Sequence, residues 1–461
     1  MVTRNAAITY ASEHFTDFLD ELKCLLELPS VSTDSKHRND MVITAQWLFE
    51  KLRSIGMEQV EIIPTEGHPV VYAEWLKAGN NAPTVLIYGH YDVQPPDPIN
   101  MWKTSPFQPV EQGEFLCARG SSDMKGQILA TISAVDSILR QGNLPVNVKF
   151  ILEGEEEIGS PHLGYVLEKY KDKLESTVAL NIDAGMISPD IPTIVYGLRG
   201  LAYFEITFHG PDHDLHSGQF GGVVQNPANA LCKVIAGMHD GGGHITLPGY
   251  YDDVLPISEQ EKKIISGIPT DDIYYLTQTG SNTLWGESGF SVVERVGSRP
   301  TLDVNGLLSG FTAEGSKTVI PSWAMAKISM RLVPNQKPKN VECQLRKYLE
   351  MNTPNGIKWE LSYLGGGPAS MSDMDNPAVK AMAEALNTIW NRTPVFKREG
   401  GSIPIVADMQ RILNIDSVLT GFGLPSDNIH SPNEHLHLPT WRKGILALIH
   451  FFYNYGENLC E

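Results

Sequence analysis

The chain reads as an α/β protein: an α/β/α sandwich with a mostly parallel sheet, plus a smaller inserted α+β domain. Three observations predict this. Thr84-Val-Leu-Ile-Tyr88, Val146-Asn-Val-Lys-Phe-Ile-Leu152 and Thr177-Val-Ala-Leu180 are short apolar runs bounded by glycine or acidic residues. Runs of that kind mark strands buried on both faces of a parallel sheet. Amphipathic helical segments alternate with them. After Gly197 the pattern changes to strands that alternate polar and apolar residues, as half-buried strands do.

In chain order, Phe15, Phe18, Leu19, Leu22, Leu25 and Leu26 follow helical spacing up to Pro29. Met41 to Ile55 is a second amphipathic helix, closed by Gly56. Lys125 to Arg140 is a third, with Ile128, Ile132, Val135 and Leu139 inward and Gly142 after it. Leu201 to His209 alternates like a half-buried strand, Pro227 to His239 reads as a helix, and Gly241 to Gly243 as a loop. Ala324, Ala326, Ile328, Met330 and Leu332 alternate with Met325, Lys327, Ser329 and Arg331. Asn340 to Met351 is helical and Ile357 to Leu364 alternates again. A helical pattern returns at Pro377 to Trp390, and Gly444 to Tyr455 reads as a packed terminal helix. The expected division is one domain from 1–197 and 374–461, interrupted by a second at 198–373.

At 461 residues the chain exceeds a single core. Its apolar and charged fractions, 42% and 20%, are those of a soluble globular protein. A net charge of −18 argues against nucleic acid or an anionic membrane as the main partner. Five scattered cysteines (Cys24, Cys117, Cys232, Cys343, Cys460) without a CxxC pair fit a reducing cytoplasm. Met1 to Ser12 lacks a basic region followed by an apolar core, and no apolar stretch reaches the ~20 residues of a membrane span. The expected location is cytoplasmic.

The three apolar runs share a further property, which points to function. Each ends in potential metal ligands: Gly89-His90-Tyr91-Asp92, Glu153-Gly-Glu-Glu156-Glu157 and Asn181-Ile182-Asp183. Open α/β sheets hold their sites at the carboxyl ends of strands, so these ends suggest one shared site. His90 and Asp92 start toward the same side; a turn histidine beside a capping aspartate is the plainer reading of the pair. Asp123, in Arg119-Gly-Ser-Ser-Asp-Met-Lys-Gly126, reads alone as a helix N-terminus. Three glutamates directly after a buried strand suit a metal-activated water with a carboxylate general base. Spacing does not say which of Glu156 and Glu157 has which part. His430, His435 or His437 could each be a distal ligand. His216 reads as a loop histidine and Arg331 as an ordinary polar-face arginine. There is no HExxH, P-loop or GxSxG. Carboxylates and imidazoles without thiolate suit zinc, manganese or cobalt.

Taken together, Gly89-His-Tyr-Asp-Val-Gln-Pro95, Arg119 to Asp123, Glu153 to Glu157, Asp214-Leu-His-Ser-Gly218, Lys317-Thr-Val-Ile-Pro321, Arg331-Leu-Val-Pro334 and Gly400-Gly-Ser-Ile-Pro404 resemble the carnosinase-type branch of the di-metal exopeptidases. That family also includes aminoacylases, desuccinylases and carboxypeptidase G. The resemblance implies two divalent ions, zinc or manganese with cobalt possible, bridged by Asp123. One ion would also take His90 and Asp183, the other Glu157 and His430. Glu156 would be the general base, and Asp92 a catalytic carboxylate behind the ligands. His216 and Thr318 would reach the partner's site in a homodimer joined through the inserted lid domain. Arg331 and Ser402 would hold the substrate carboxylate. Aspartate at 183 is the dipeptidase marker, whereas Met124 stands where carnosinases usually have a second aspartate. The expected function is therefore a metal-dependent dipeptidase acting on small peptides. The alternatives are an N-acyl-amino-acid amidohydrolase and a catalytically inactive binding protein on the same fold.

Overall fold

The computed structural model describes residues 4–457; Cys460 lies outside them. The chain divides into two compact units. The first takes the residues up to Tyr196, Ser372–Phe396 and those from Asp408 onward; the second takes Gly197–Met371 and Lys397–Ala407. The last segment corrects the pattern-based division, which kept it with the C-terminal part of the first domain. It belongs with the second unit because Arg199 Nε donates to Gly400 O at 3.0 Å and Arg331 Nη1 to Ser402 Oγ at 2.9 Å.

In the first unit the sheet runs in the order Gln59–Ile63, Val70–Trp75, Asn147–Glu153, Thr84–His90, Val178–Asn181, Ser417–Thr420, Thr193–Leu198. Asn147–Glu153, Thr84–His90, Val178–Asn181 and Ser417–Thr420 are mutually parallel, and their neighbours on either side are antiparallel. Every residue of Asn147–Glu153 is buried, as a strand covered on both faces requires. Val148, Phe150 and Leu152 join the main core with Lys125–Leu139, Pro377–Trp390 and Leu438–Glu457. On the opposite face Tyr72 and Lys149 reach the carbonyl of Lys173, at the short helix Lys171–Leu174.

The residue before His90 is glycine for a packing reason. A Cβ on Gly89 would lie 2.7 Å from Ile128 Cγ1, so glycine lets Lys125–Leu139 sit directly against the strand end. Lys125 is buried, and burial pulls its pKa down to about 7. Burying an ammonium costs several kcal/mol; here Nζ donates to Leu25 O at 3.1 Å and Leu28 O at 2.6 Å. Those two bonds tie the helix to the end of Phe15–Leu26.

The second unit holds an antiparallel sheet in the order Thr301–Ser309, Trp323–Leu332, Gly200–His209, Lys358–Gly367. Strict alternation buries Phe204, Ile206, Phe208, Ala326, Ile328 and Met330 under the helices Pro227–Ala236 and Pro338–Asn352. Arg331 lies on the other face, directly between Thr301 and Leu201. Asp303 and Ser329 form the next cross-strand pair on that face.

Several elements have no counterpart in the hydrophobic pattern. Arg4–Glu13 buries only Ala7 and Ala11, too little to mark an apolar stripe. Thr301–Ser309 is an edge strand that is mostly exposed, so it lacks alternation. Val292–Ser298 begins with a capping box of Ser291 and Glu294, a legible signature that periodicity alone passes over.

Candidate metal centre

The residues at the ends of the parallel strands converge with two loops. His90 Nε2 is 3.1 Å from Asp123 Oδ1 and 3.8 Å from Asp183 Oδ1. His430 Nε2 is 2.9 Å from Asp123 Oδ2 and 3.4 Å from Glu157 Oε2. The two oxygens of one carboxylate therefore face two different imidazoles. Ligand atoms of His90, Asp123 and Glu157 all lie within 4.8 Å of one another, a spacing compact enough for metal ligation. His90 Nδ1 contacts Asp92 O at 3.1 Å, which directs Nε2 into the cluster. The Asp92 carboxylate, fully buried, accepts from the backbone N–H groups of Glu156 at 3.2 Å and Glu157 at 3.1 Å. It thereby fixes the turn from which both glutamates project. His435 and His437 stand apart, in a strand paired with Phe115–Cys117.

Sequence reasoning missed the residue that holds the Asp123 loop. Glu434 is completely buried and accepts from Arg119 Nη1 at 2.7 Å and from the N–H groups of Gly120, Ser122 and Asp123. Breaking a buried pair of this kind costs about 3–5 kcal/mol. Its signal was weak: a lone acid between two histidines, more than 300 positions from its partners. Gln94 was also missed, and its Nε2 donates to Glu157 Oε2 at 2.7 Å. Met124 Sδ accepts from the His90 N–H at 3.3 Å. Gly126 allows the tight loop, since a Cβ there would sit 2.1 Å from Ser121 O.

The four residues expected to touch substrate belong to the second unit. His216 pairs with Val319 where Leu215–His216 runs antiparallel to Val319–Ile320, and the carbonyl of Thr318, just before that strand, accepts from the Ser217 N–H at 3.1 Å. The Gly218 N–H donates to His216 Nδ1 at 3.0 Å, so the neutral ring carries its proton on Nε2. Arg331 Nη1 donates to Ser402 Oγ, and that hydroxyl donates to Arg199 O at 2.5 Å. Ser402 thus clamps Arg331 against the backbone of Arg199.

Electrostatically the cluster holds protons. Burial pushes the Glu157 carboxyl up to about 8, and the charge of Asp123 adds to the rise. Burial lifts Glu156 to about 7 against the pull of His90, with Asp183 and Asp123 contributing. Asp183 is raised by burial, which outweighs its contact with His90. The hydrogen bond to Asp123 raises His430 to about 9. Burial opposes the charged form of His90, yet its bonds to Asp123, Asp183 and Asp92 raise it well above the ordinary range. For Asp123 burial is likewise overcome, and bonds with His430 and His90 hold it below the usual carboxylate range. Carboxyls and imidazoles raised together are what a crowded, buried anionic cluster produces. Oxygen and imidazole donors with no thiolate fit hard or borderline divalent ions.

Histidines and carboxylates gathered on a shared aspartate, at the carboxyl edge of a parallel sheet, define the class as a metal-dependent hydrolase. Residues 86–454 match Peptidase family M20/M25/M40, and the chain belongs to that family of metallopeptidases. It is 33% identical to the Cys-Gly metallodipeptidase DUG1 of Candida albicans, over 95% of each chain. It is 32% identical to the human Beta-Ala-His dipeptidase, over 96% of this chain and 91% of that one. Among solved structures, the M20 family metallo-carboxypeptidase Sso-CP2 from Sulfolobus solfataricus matches with a TM-score of 0.86. The two are 34% identical, over 95% of this chain and 99% of that one.

Metal uptake at neutral pH should release protons, because Glu157 and His430 must lose theirs to become ligands. Titration calorimetry of metal into chelator-treated protein at pH 7, in buffers of differing ionisation enthalpy, should show release of at least one proton. Release should fall as pH rises beyond about 9, where both groups are already deprotonated. Uptake with no buffer dependence at pH 7 would contradict this electrostatic picture.

Proposed function

We propose that the protein is a di-metal dipeptidase that hydrolyses the peptide bond of small peptides with a free carboxylate. The observation that carries this reading is the Asp123 carboxylate, one oxygen toward His90 and the other toward His430. Asp123 would bridge two divalent ions, zinc or manganese with cobalt possible. His90 and Asp183 complete one ligand set, Glu157 and His430 the other. When bound, the ions would polarise the scissile carbonyl and acidify the attacking water. Glu156 takes the proton of that water and returns it to the leaving amine; a raised pKa near neutrality suits a group that must do both. Asp92 holds the glutamate turn and orients His90. Arg331, clamped by Ser402, binds the substrate carboxylate. His216, with its proton on Nε2, donates to the developing oxyanion, and Thr318, bonded through its carbonyl to the next residue Ser217, is a further substrate contact.

The names of the two dipeptidase relatives support this choice of substrate. Sso-CP2 favours a second reading, release of C-terminal residues from longer peptides. Rates on Ala-Ala and Ala-Ala-Ala-Ala would separate the two. Four thiols, Cys24, Cys117, Cys232 and Cys343, are unpaired, and no described helix is long and apolar enough to cross a membrane. Both facts are compatible with the proposed cytoplasmic location.

The homodimer is part of the proposal. Its support is the edge strand Thr301–Ser309, which among the described residues has a strand on one side only and exposes Val304, Leu307 and Leu308. An uncovered apolar edge of this kind is a ready surface for a second copy.

Chelation should abolish activity, and adding back metal should restore it. Glu156→Gln should keep its metal content while losing turnover about 10²–10⁴-fold, the usual cost of removing a general base. Asp123→Ala should lose metal from both sets. Metal analysis beside dipeptide assays decides: an empty Glu156→Gln protein with a loaded Glu157→Gln protein would reverse the two assignments.

If His216 serves the partner's site, inactive His216→Ala and inactive Glu156→Gln chains should complement each other when reassembled. With random pairing, roughly a quarter of all sites should recover. Mixed dimers verified by mass that stay inactive would confine His216 to its own chain.

A further inference from the structure

A cavity of about 210 Å³ lies in the second unit, walled by Arg199, His239, Trp285, Glu287, Arg295, Arg299, Thr301 and Asp303 among others. It lies below the roughly 300–1,000 Å³ of small-molecule pockets, a size that suits one amino-acid side chain rather than a larger ligand. Its position bears on the substrate. Thr301, in its wall, is the direct cross-strand neighbour of Arg331, and the Arg199 carbonyl accepts from the Ser402 that clamps Arg331. The cavity wall therefore adjoins, across one strand pairing, the cation assigned above to the substrate carboxylate.

The charge of the wall is unbalanced. Three arginines face two carboxylates in a chain whose net charge is −18. Arg299 is neutralised by Glu287, through bonds of 2.7 and 2.6 Å, and is flanked by Phe290 and Tyr251. Asp303 sits in the field of Arg199 and Arg331 and offsets part of their charge. Arg199 spends its guanidinium on the carbonyls of Gly400, Arg295 and Arg299. Arg295 is left over. Among the described residues it has no carboxylate partner although it lines the cavity. An unpaired guanidinium in a wall that is partly out of water is costly, and a carboxylate entering the cavity would pair with it. His239 and Trp285, in edge-to-face contact at 5.2 Å between centroids, form an aromatic wall that suits the methylene stem of such a side chain.

We infer that this cavity receives the side chain of the substrate's C-terminal residue, and that Arg295 makes an acidic one, aspartate or glutamate, preferred. The inference rests on the dipeptidase reading and on Arg331 as the carboxylate anchor.

The test compares Ala-Glu with its neutral isostere Ala-Gln on the metal-loaded full chain. The expected kcat/KM ratio is about tenfold in favour of Ala-Glu, a moderate value for a charge-assisted contact in an open cavity. Arg295→Met should bring the ratio to about one, and Arg295→Lys should retain part of the preference. A wild-type ratio at or below one overturns the inference even if neither variant folds. So does a ratio that survives Arg295→Met. Failure to cleave Ala-Glu, Ala-Gln and Ala-Ala alike would instead sink the dipeptidase reading, and the role of the pocket with it.

Discussion

Asp123 turns its two carboxylate oxygens toward two imidazoles that arrive from opposite ends of the chain, and the first unit is arranged to keep it there. His90 comes from the end of a buried parallel strand, His430 from a loop more than 300 residues later. The peptide that carries Asp123 is gripped by Glu434 through three backbone N–H groups, and Glu434 is in turn neutralised by Arg119. Asp92 plays the same part on the other side by holding the N–H groups of Glu156 and Glu157. Two fully buried carboxylates are thus committed to backbone groups, which preorganises the acids around Asp123. The cost of gathering so many anions appears in the raised pKa values of Glu156, Glu157 and Asp183. Divalent cations would remove that cost.

Much of this was legible in the sequence, for a physical reason. Strands buried on both faces of a parallel sheet must be continuously apolar, so the runs ending at His90, Glu153 and Asp183 stood out together with the acids that follow them. The half-buried sheet of the second unit was visible through strict alternation, as in Ala324 to Leu332. What stayed hidden lacked either period or proximity. The edge strand Thr301–Ser309 has no buried face to impose alternation, and Arg4–Glu13 packs through two alanines. Glu434 and Gln94 matter only through contacts across the fold, which no local spacing encodes. The choice of His430 over His435 and His437 came from resemblance alone. The geometry supplies the reason: His435 and His437 are tied into a strand, whereas His430, with φ near +58°, turns back toward Asp123.

The second unit contributes a different kind of chemistry. Its open sheet face carries Arg331 fixed by Ser402, and the two-stranded pair of Leu215–His216 with Val319–Ile320 presents an imidazole whose tautomer is set by Gly218. Cation and neutral donor suit the two charges a dipeptide brings to hydrolysis: a permanent carboxylate and a transient oxyanion. A hydrolase of N-acyl amino acids would need the same two contacts, so these residues do not separate it from a dipeptidase.

The central claim is that one carboxylate, Asp123, joins two metal ions. Crystals grown with manganese or zinc and measured by anomalous diffraction test it directly. The account predicts two anomalous peaks roughly 3.5–4 Å apart, as in two-metal hydrolytic centres, with Asp123 touching both. His90 and Asp183 should lie on one, Glu157 and His430 on the other. A single fully occupied ion, or two ions of which only one touches Asp123, would contradict it.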